Sequence, residues 1–97
     1  MMNMEFKPKL CKEIVWKEEG KNGEIVSLAS ALGGPIRMLN PVASKIIKLS
    51  DGKHTVKEII SEICRTFDDA NQKEVEKDVE KFLAALEKNQ IINPSQN

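Results

Sequence analysis

The sequence lacks most of the side chains on which catalytic and metal sites are built. Its 97 residues include one histidine, two cysteines and no tyrosine. A lone histidine offers no pair for a metal and no evident base for a nucleophile, and His54 lies in a turn, where surface positions are usual. Cys11 and Cys64 are far apart and neither forms a CxxC pair, which favours reduced thiols in the cytoplasm over an exported disulfide scaffold. We therefore expect a protein that is not an enzyme and that binds no metal or cofactor.

Net charge and long apolar runs are also absent. Fifteen basic and fifteen acidic residues give a formal net charge of zero, so no overall field draws the chain to nucleic acid or to an anionic membrane. No apolar run approaches the roughly 20 residues of a membrane span, and the N-terminal residues lack the apolar segment of a signal peptide. The length and composition predict one small cytoplasmic domain, which we place at residues 8–92, between tails at 1–7 and 93–97.

The first 40 residues follow the period near two that is typical of strands. Three short runs between turn signals predict strands, at residues 12–17, 24–28 and 35–39. The dipeptide Asn22-Gly23 between the first two runs is a strong signal of a hairpin. Pro35 has no N–H and therefore suits the first residue of an edge strand rather than a central strand. We predict a three-stranded antiparallel meander.

After Asn40 the apolar period becomes helical, and each predicted helix has its own start signal. Asn40 is a preferred N-cap residue, and Pro41 suits the first helical position. Thr55 and Glu58 have the spacing of a capping box, and the same spacing recurs from Asn71. The order predicts an α+β fold in which a three-stranded antiparallel sheet is followed by a three-helix bundle, the βββααα layout of a winged-helix-like domain.

The apolar residues of these helices predict the core. In the second helix they recur at helical spacing, at Val56, Ile59, Ile60, Ile63, Cys64 and Phe67. In the third helix the corresponding residues are Val75, Val79, Phe82, Leu83 and Leu86. We expect the third helix to end near Asn89, which tolerates a left-handed conformation, and Ile91 and Ile92 to fold back onto the core.

A winged-helix layout raises DNA binding as an alternative function. A recognition helix must bring cations to phosphates and donors to base edges. The third predicted helix instead alternates acids with lysines, has a net charge of about −1 and contains no arginine to contact guanine. Fold analogy alone does not support DNA binding. A winged-helix adaptor that binds DNA or a protein subunit remains the alternative.

The third predicted strand offers a different kind of binding. A three-stranded meander leaves two open edges, and an open edge is a template on which a peptide can add a strand. A helix beside that edge would form a groove for apolar side chains. The opposing interpretation is that Ile36, Met38 and Leu39 only fill the core and that solvent covers the edge.

Several short motifs, in order and spacing, resemble the PqqD family. That family includes the pyrroloquinoline quinone synthesis protein D and the related elements that recognise precursor peptides in ribosomal peptide modification. The resemblance covers about residues 8–92 and implies a three-stranded sheet followed by three helices. Its motifs are Pro35-Ile36-Arg37-Met38-Leu39-Asn40, then Ala43, Ile46 and Leu49, then Asp51-Gly52, then Thr55-Val56 with Glu58-Ile59, and finally Asp78-Val79 with Phe82-Leu83 and Leu86.

The resemblance implies a peptide chaperone rather than an enzyme. Members bind the leader of a ribosomally made precursor as an extra strand beside the third strand, against the third helix, and present it to a modifying enzyme, commonly a radical S-adenosylmethionine protein. The chain would act without a cofactor, as a monomer or a homodimer. Carried over to this sequence, the peptide-binding residues are Ile36, Arg37, Met38, Leu39, Lys77, Asp78, Lys81 and Phe82.

Two positions depart from the family pattern. The usual glycine before the C-terminal apolar pair is Gln90 here, so Asn89 is expected to end the third helix instead. The segment 29–34 is small and flexible, with few anchors between the second and third strands. Leu39, like the apolar residues of the third helix, can equally be explained as core, since apolar periodicity alone predicts burial.

Overall fold

A computed structural model describes residues 3–21, 23–31, 33, 36–67 and 71–93. Its strands and helices are β1 (Ile14–Glu19), β2 (Ile25–Ser30), β3 (Arg37–Met38), α1 (Pro41–Leu49), α2 (Val56–Thr66) and α3 (Gln72–Lys88). The strands form one antiparallel sheet in the order β1-β2-β3, which confirms the predicted α+β fold with βββααα order. Among the described residues, no helix is both long enough and apolar enough to cross a membrane.

The strand bounds differ from the predicted ones for local reasons. The N–H of Ile14 donates to the carbonyl of Cys11 at 3.0 Å, and this turn delays the start of β1. β3 has only two residues in regular pairing because Leu39 leads directly into Asn40, the N-cap of α1. Of the predicted hairpin dipeptide, Gly23 has a φ of 67° in the turn between β1 and β2, whereas Asn22 lies outside the described residues. Pro35 also lies outside them.

Side chains cap the N-terminus of each helix, as the sequence predicts. Asn40 accepts a hydrogen bond from the N–H of Ala43 at 2.8 Å, and Asn71 accepts from the first turn of α3. Thr55 and Glu58 form the complete capping box, with bonds of 3.1 and 2.8 Å. The helices therefore begin where the cap residues stand.

The core lies between the inner face of the sheet and the three helices. β2 contributes Val26 and Leu28 to it. The helices contribute their predicted apolar stripes, with Cys64, Phe67 and Phe82 half-buried at the margin. Ile91 and Ile92 fold back onto the core and are buried, as predicted.

The N-terminal segment also packs against the helices. The N–H of Val56 donates to the carbonyl of Phe6, and the N–H of Gly52 donates to that of Pro8, both at 2.8 Å. Phe6 and Pro8 are buried. Phe6 therefore belongs to the core although it falls within the predicted tail 1–7, and the domain bounds 8–92 remain a prediction.

The buried hydroxyl of Ser44 completes the pairing of β2 with the end of β3. The N–H of Leu39 donates to the carbonyl of Val26 at 2.9 Å, as in a regular ladder. The reciprocal bond is replaced by Ser44 in α1, whose Oγ accepts from the N–H of Val26 at 2.7 Å and donates to the carbonyl of Leu39 at 3.3 Å. Ser44 has no exposed surface, so water does not substitute for this hydroxyl.

The register of β2 with β3 determines which main-chain groups of β3 point away from the sheet. Met38 lies opposite Ser27, and Arg37 lies opposite Leu28. In an antiparallel pair, successive residues direct their N–H and C=O groups alternately toward and away from the partner strand. Because Leu39 bonds to β2, Arg37 also does so, whereas the groups of Met38 point to the open edge.

The C-terminus of α3 is a Schellman motif with glutamine in the left-handed position. The N–H of Ile91 donates to the carbonyl of Leu86 at 2.8 Å, and the N–H of Gln90 donates to that of Glu87 at 3.0 Å. Gln90 has a φ of 61°, whereas Asn89 has a φ of −91°. The prediction that α3 ends near Asn89 is confirmed, since Asn89 is its C-cap. The left-handed conformation expected at Asn89 is instead adopted by Gln90, at the position of the family glycine.

We predict that Ser44→Ala destabilises the fold by about 1–3 kcal/mol, because it leaves the buried N–H of Val26 without an acceptor. Urea unfolding measures this loss, and amide exchange at Leu39 reports whether the β2–β3 contact opens locally. Ser50→Ala is the matched control, since Ser50 is also buried but bonds within α1, to the carbonyl of Ile46. Equal acceleration of exchange at Leu39 in both variants would contradict the assigned role of Ser44.

We predict that the amide of Met38 exchanges with solvent much faster than those of Arg37 and Leu39 in the free protein. The N–H of Met38 points away from β2, whereas its two neighbours donate within the sheet. Hydrogen exchange followed by NMR at the level of single amides tests this order. Protection of Met38 equal to that of Leu39 would mean that the edge is already paired.

We predict that Gln90→Gly stabilises the protein by about 1 kcal/mol, because a residue with a Cβ is strained at a positive φ and glycine is not. The unfolding midpoint in urea should rise at an unchanged slope. Asn89→Gly is the control, since the φ of Asn89 is negative and glycine there only adds disorder to the unfolded chain. A gain of stability in Asn89→Gly rather than in Gln90→Gly would contradict the assignment of the left-handed conformation to Gln90.

Candidate functional site

A cavity of about 500 Å³ opens between the inner face of the sheet and the C-terminal end of α3. All three strands reach it, because β1, β2 and β3 are short and leave part of their inner face uncovered. The chain before β1 and the residues after α3 close its sides. Its lining residues are Cys11, Glu13, Ile14, Leu28, Ala29, Ser30, Gly33, Arg37, Asn89, Gln90 and Ile91.

Leu28 and Arg37, which both line the cavity, belong to one row of side chains across the sheet. Trp16 lies opposite Leu28, and Leu28 lies opposite Arg37, so the three side chains are on the same face. Leu28 is buried, and Ile14 and Ile91 add apolar surface on either side. Arg37 stands at the end of the row, at the open edge. The cavity therefore combines an apolar part with a cationic side chain where a further strand would lie.

The residues that directly follow α3 border the cavity. Asn89 lines the cavity at the end of the helix. Helical spacing places Ala85, Phe82 and Asp78 on the same line of the helix surface, at four, seven and eleven residues before Asn89. Phe82 is half-buried and packs against the core, whereas Asp78 is exposed. Of the described residues of α3 itself, none lines the cavity.

The predicted site residues divide between the two elements. On β3 and its flanks, Arg37 faces the cavity and Leu39 is half-buried against the core. Ile36 and Met38 are exposed by 70% and 62%. On α3, the structure brings Phe82 to the margin of the core and leaves the other three predicted residues in solvent; these are Lys77, Asp78 and Lys81. Their role in peptide binding remains a prediction.

Ile36 and Met38 direct their side chains to the face of the sheet opposite the cavity. Met38 shares that face with Ser27, and strand alternation places Ile36 beside it. The same two residues direct their main-chain groups to the open edge. Because neither residue lies in the core, the interpretation that both only fill the core is wrong; Leu39 is half-buried and contacts the core.

The sequence did not indicate several residues that line the cavity, because they lie far apart along the chain. Glu13 and Cys11 precede β1, and Gln90 follows α3, so only the folded chain brings them together. Gln90 had one signal in the sequence, the missing family glycine. In the parts of the chain that the structure describes, no three His, Cys, Asp or Glu side chains converge as metal ligands.

A second cavity, of about 640 Å³, lies around His54 and the first turns of α2. Two of its carboxylates, those of Glu58 and Glu62, already have partners. Glu58 accepts from the N–H of Thr55, and this hydrogen bond lowers the pKa of Glu58. Glu62 accepts from the guanidinium of Arg65 at 2.6 Å, which lowers the pKa of Glu62. These groups are engaged in holding α2, and the cavity between the sheet and α3 is the better candidate site.

Comparisons with known proteins agree with this fold. A solved structure of TbiB1 in complex with the TbiA(beta) leader peptide superposes with a TM-score of 0.77 at 24% sequence identity, over 92% of this chain and 99% of that chain. At this identity the similarity concerns the fold alone. A search of curated proteins gives no significant match. The model of the family described as coenzyme PQQ synthesis protein D (PqqD) matches residues 23–92, from the hairpin to the last core residue. This match covers most of the chain and confirms the resemblance seen in the sequence: the protein belongs to the PqqD family.

Proposed function

We propose that this protein recognises the leader of a ribosomally made precursor peptide, which adds to the sheet as a fourth strand beside β3. The observation that carries the proposal is the edge at Met38, whose N–H and C=O point away from β2 beside a cavity with an apolar part. Membership of the PqqD family supports it. A protein of the same fold, TbiB1, forms a complex with a leader peptide.

In this proposal, main-chain hydrogen bonds hold the peptide and the groove selects it. A strand rises about 3.4 Å per residue, so the bonding groups of Ile36 and Met38 lie about 7 Å apart and match every second residue of an added strand. Inward side chains of the peptide would cover the row that ends at Arg37 and contact Phe82 on α3. Apolar burial there would offset the entropy of ordering the peptide.

The protein itself performs no chemistry in this proposal. It delivers the bound leader to a modifying enzyme, for which we propose the radical S-adenosylmethionine class, and it acts in the cytoplasm as a monomer or homodimer. The exposed outer face of the sheet, with Val15, Ile36 and Met38, remains accessible to that enzyme when a strand is added at the edge.

We predict that Met38→Pro abolishes leader binding and leaves the fold intact. Proline removes the outward N–H of Met38, which β2 does not use. The probes are synthetic leader peptides encoded next to this gene, and the fluorescence of Trp16, the single tryptophan, reports their binding because Trp16 lies opposite Leu28 on the inner face of the sheet. We expect a Kd of about 1 μM or below for the unaltered protein and at least a tenfold loss in Met38→Pro.

Glu18→Pro is the matched control because it removes an outward N–H at the other open edge, on β1. Lys17 and Glu19 bond to β2 by the register, so the N–H of Glu18 points away. Met38→Ala keeps the main-chain N–H, so it separates the contribution of the Met38 side chain to binding from that of its amide. Loss of binding in Glu18→Pro alone would move the strand to β1. Affinity for duplex DNA that falls steeply with salt, in the absence of peptide binding, would favour the adaptor function instead.

A further inference from the structure

The proposed fourth strand would run past one cation that already lies in the cavity. Arg37 stands between Ile36 and Met38, and its register with Leu28 places its side chain on the inner face of the sheet. Its two neighbours place theirs on the outer face. Arg37 is therefore the charged side chain of this edge that the inward residues of a bound peptide would meet.

Arg37 has no carboxylate within 4.0 Å among the described residues, although Glu13 lines the same cavity. The sheet keeps the two charges apart. Glu13 bonds to Ala31 beyond the end of β2, and Arg37 lies opposite Leu28, on the other side of that strand. Two strand spacings and three residues of rise separate their main chains by about 14 Å. Glu13 therefore lies at the far end of the cavity and does not neutralise the guanidinium.

A strand added at the edge would cover Arg37 and remove water from it. The cavity that Arg37 borders is apolar in part, with Leu28, Ile14 and Ile91 among its lining residues. A cation that is covered in such surroundings destabilises the complex unless a carboxylate pairs with it. Because Arg37 bonds to β2 through its main chain, its partner on the added strand is a directly opposed residue, with Cβ atoms about 4.5–5.5 Å apart. The side chain of this opposed peptide residue points into the cavity.

We propose that the peptide presents an aspartate or glutamate opposite Arg37, with an apolar residue two positions away. This inference rests on the proposed strand addition and names the side chains that the groove selects. The peptide residue opposite Leu39 is expected to be apolar. Leu39 lies two residues from Arg37 on the same face of β3 and its extension, and it is half-buried against the core. The peptide class is thus a strand with alternating inward residues, one acidic and the next apolar.

The test is selection of peptides from a displayed library of random 12-residue sequences on the unaltered protein and on Arg37→Glu. We expect Asp or Glu, spaced by one residue from an apolar residue, in the pool from the unaltered protein, and Lys or Arg at that position in the pool from Arg37→Glu. Binders from the first pool should lose affinity for Arg37→Glu by about ten- to hundredfold, as expected for a charge-assisted hydrogen bond.

Lys17→Glu is the matched control, because it changes the net charge equally but lies on the outer face, opposite Ser27. Its pool should retain the acidic preference. If the pools from the unaltered protein and from Arg37→Glu were equally acidic, the role of Arg37 would be overturned. If the same binders also failed to bind Met38→Pro, strand addition would stand. Binders that are insensitive to Met38→Pro, or no binders in any pool, would overturn strand addition and this inference with it.

Discussion

The hydroxyl of Ser44 is the contact on which the binding edge depends. It lies between the N–H of Val26 and the carbonyl of Leu39, where a direct ladder bond would otherwise form. This insertion ends β3 after two residues and turns the chain into α1. It also fixes the distance between the sheet and the helices at the point where the edge begins. Because the register of β2 with β3 is held there, the outward direction of the groups of Met38 follows from it.

Much of the fold could be predicted from the sequence because its signals are local. The cap residues Asn40, Thr55 and Asn71 stand at the helix starts, and the apolar stripes of α2 and α3 face the core. The core position of Phe6 could not be predicted, since a single aromatic residue in an irregular segment has no periodicity. The length of β3 was also out of reach, because a side chain from the following helix sets it.

The site was less predictable than the fold because it combines local and distant groups. Resemblance to a family predicted binding at the third strand and the third helix, and so named Arg37 and Phe82; of these two, Arg37 lines the cavity. It did not indicate that Ile36 and Met38 direct their side chains away from the cavity, which depends on the register. Nor did it indicate that Gln90 would adopt the conformation of the missing glycine. The two hydrogen bonds of the Schellman motif hold Gln90 there, at the rim of the cavity.

The shortness of β3 decides how such a site can bind a peptide at all. Two outward residues offer about four main-chain hydrogen bonds, each with a net contribution of about 0.5–1.5 kcal/mol. Ordering even six peptide residues costs about 1–2 kcal/mol per residue, which exceeds that gain. The main-chain hydrogen bonds at the edge therefore fix the direction and register of the peptide, but they do not by themselves give a favourable free energy of binding. In the proposed mode of binding, affinity comes from the apolar part of the cavity, and discrimination comes from Arg37 at the edge. A peptide that satisfied the edge but left Arg37 unpaired would lose part of what its main chain gains, because removing water from an unpaired cation is unfavourable.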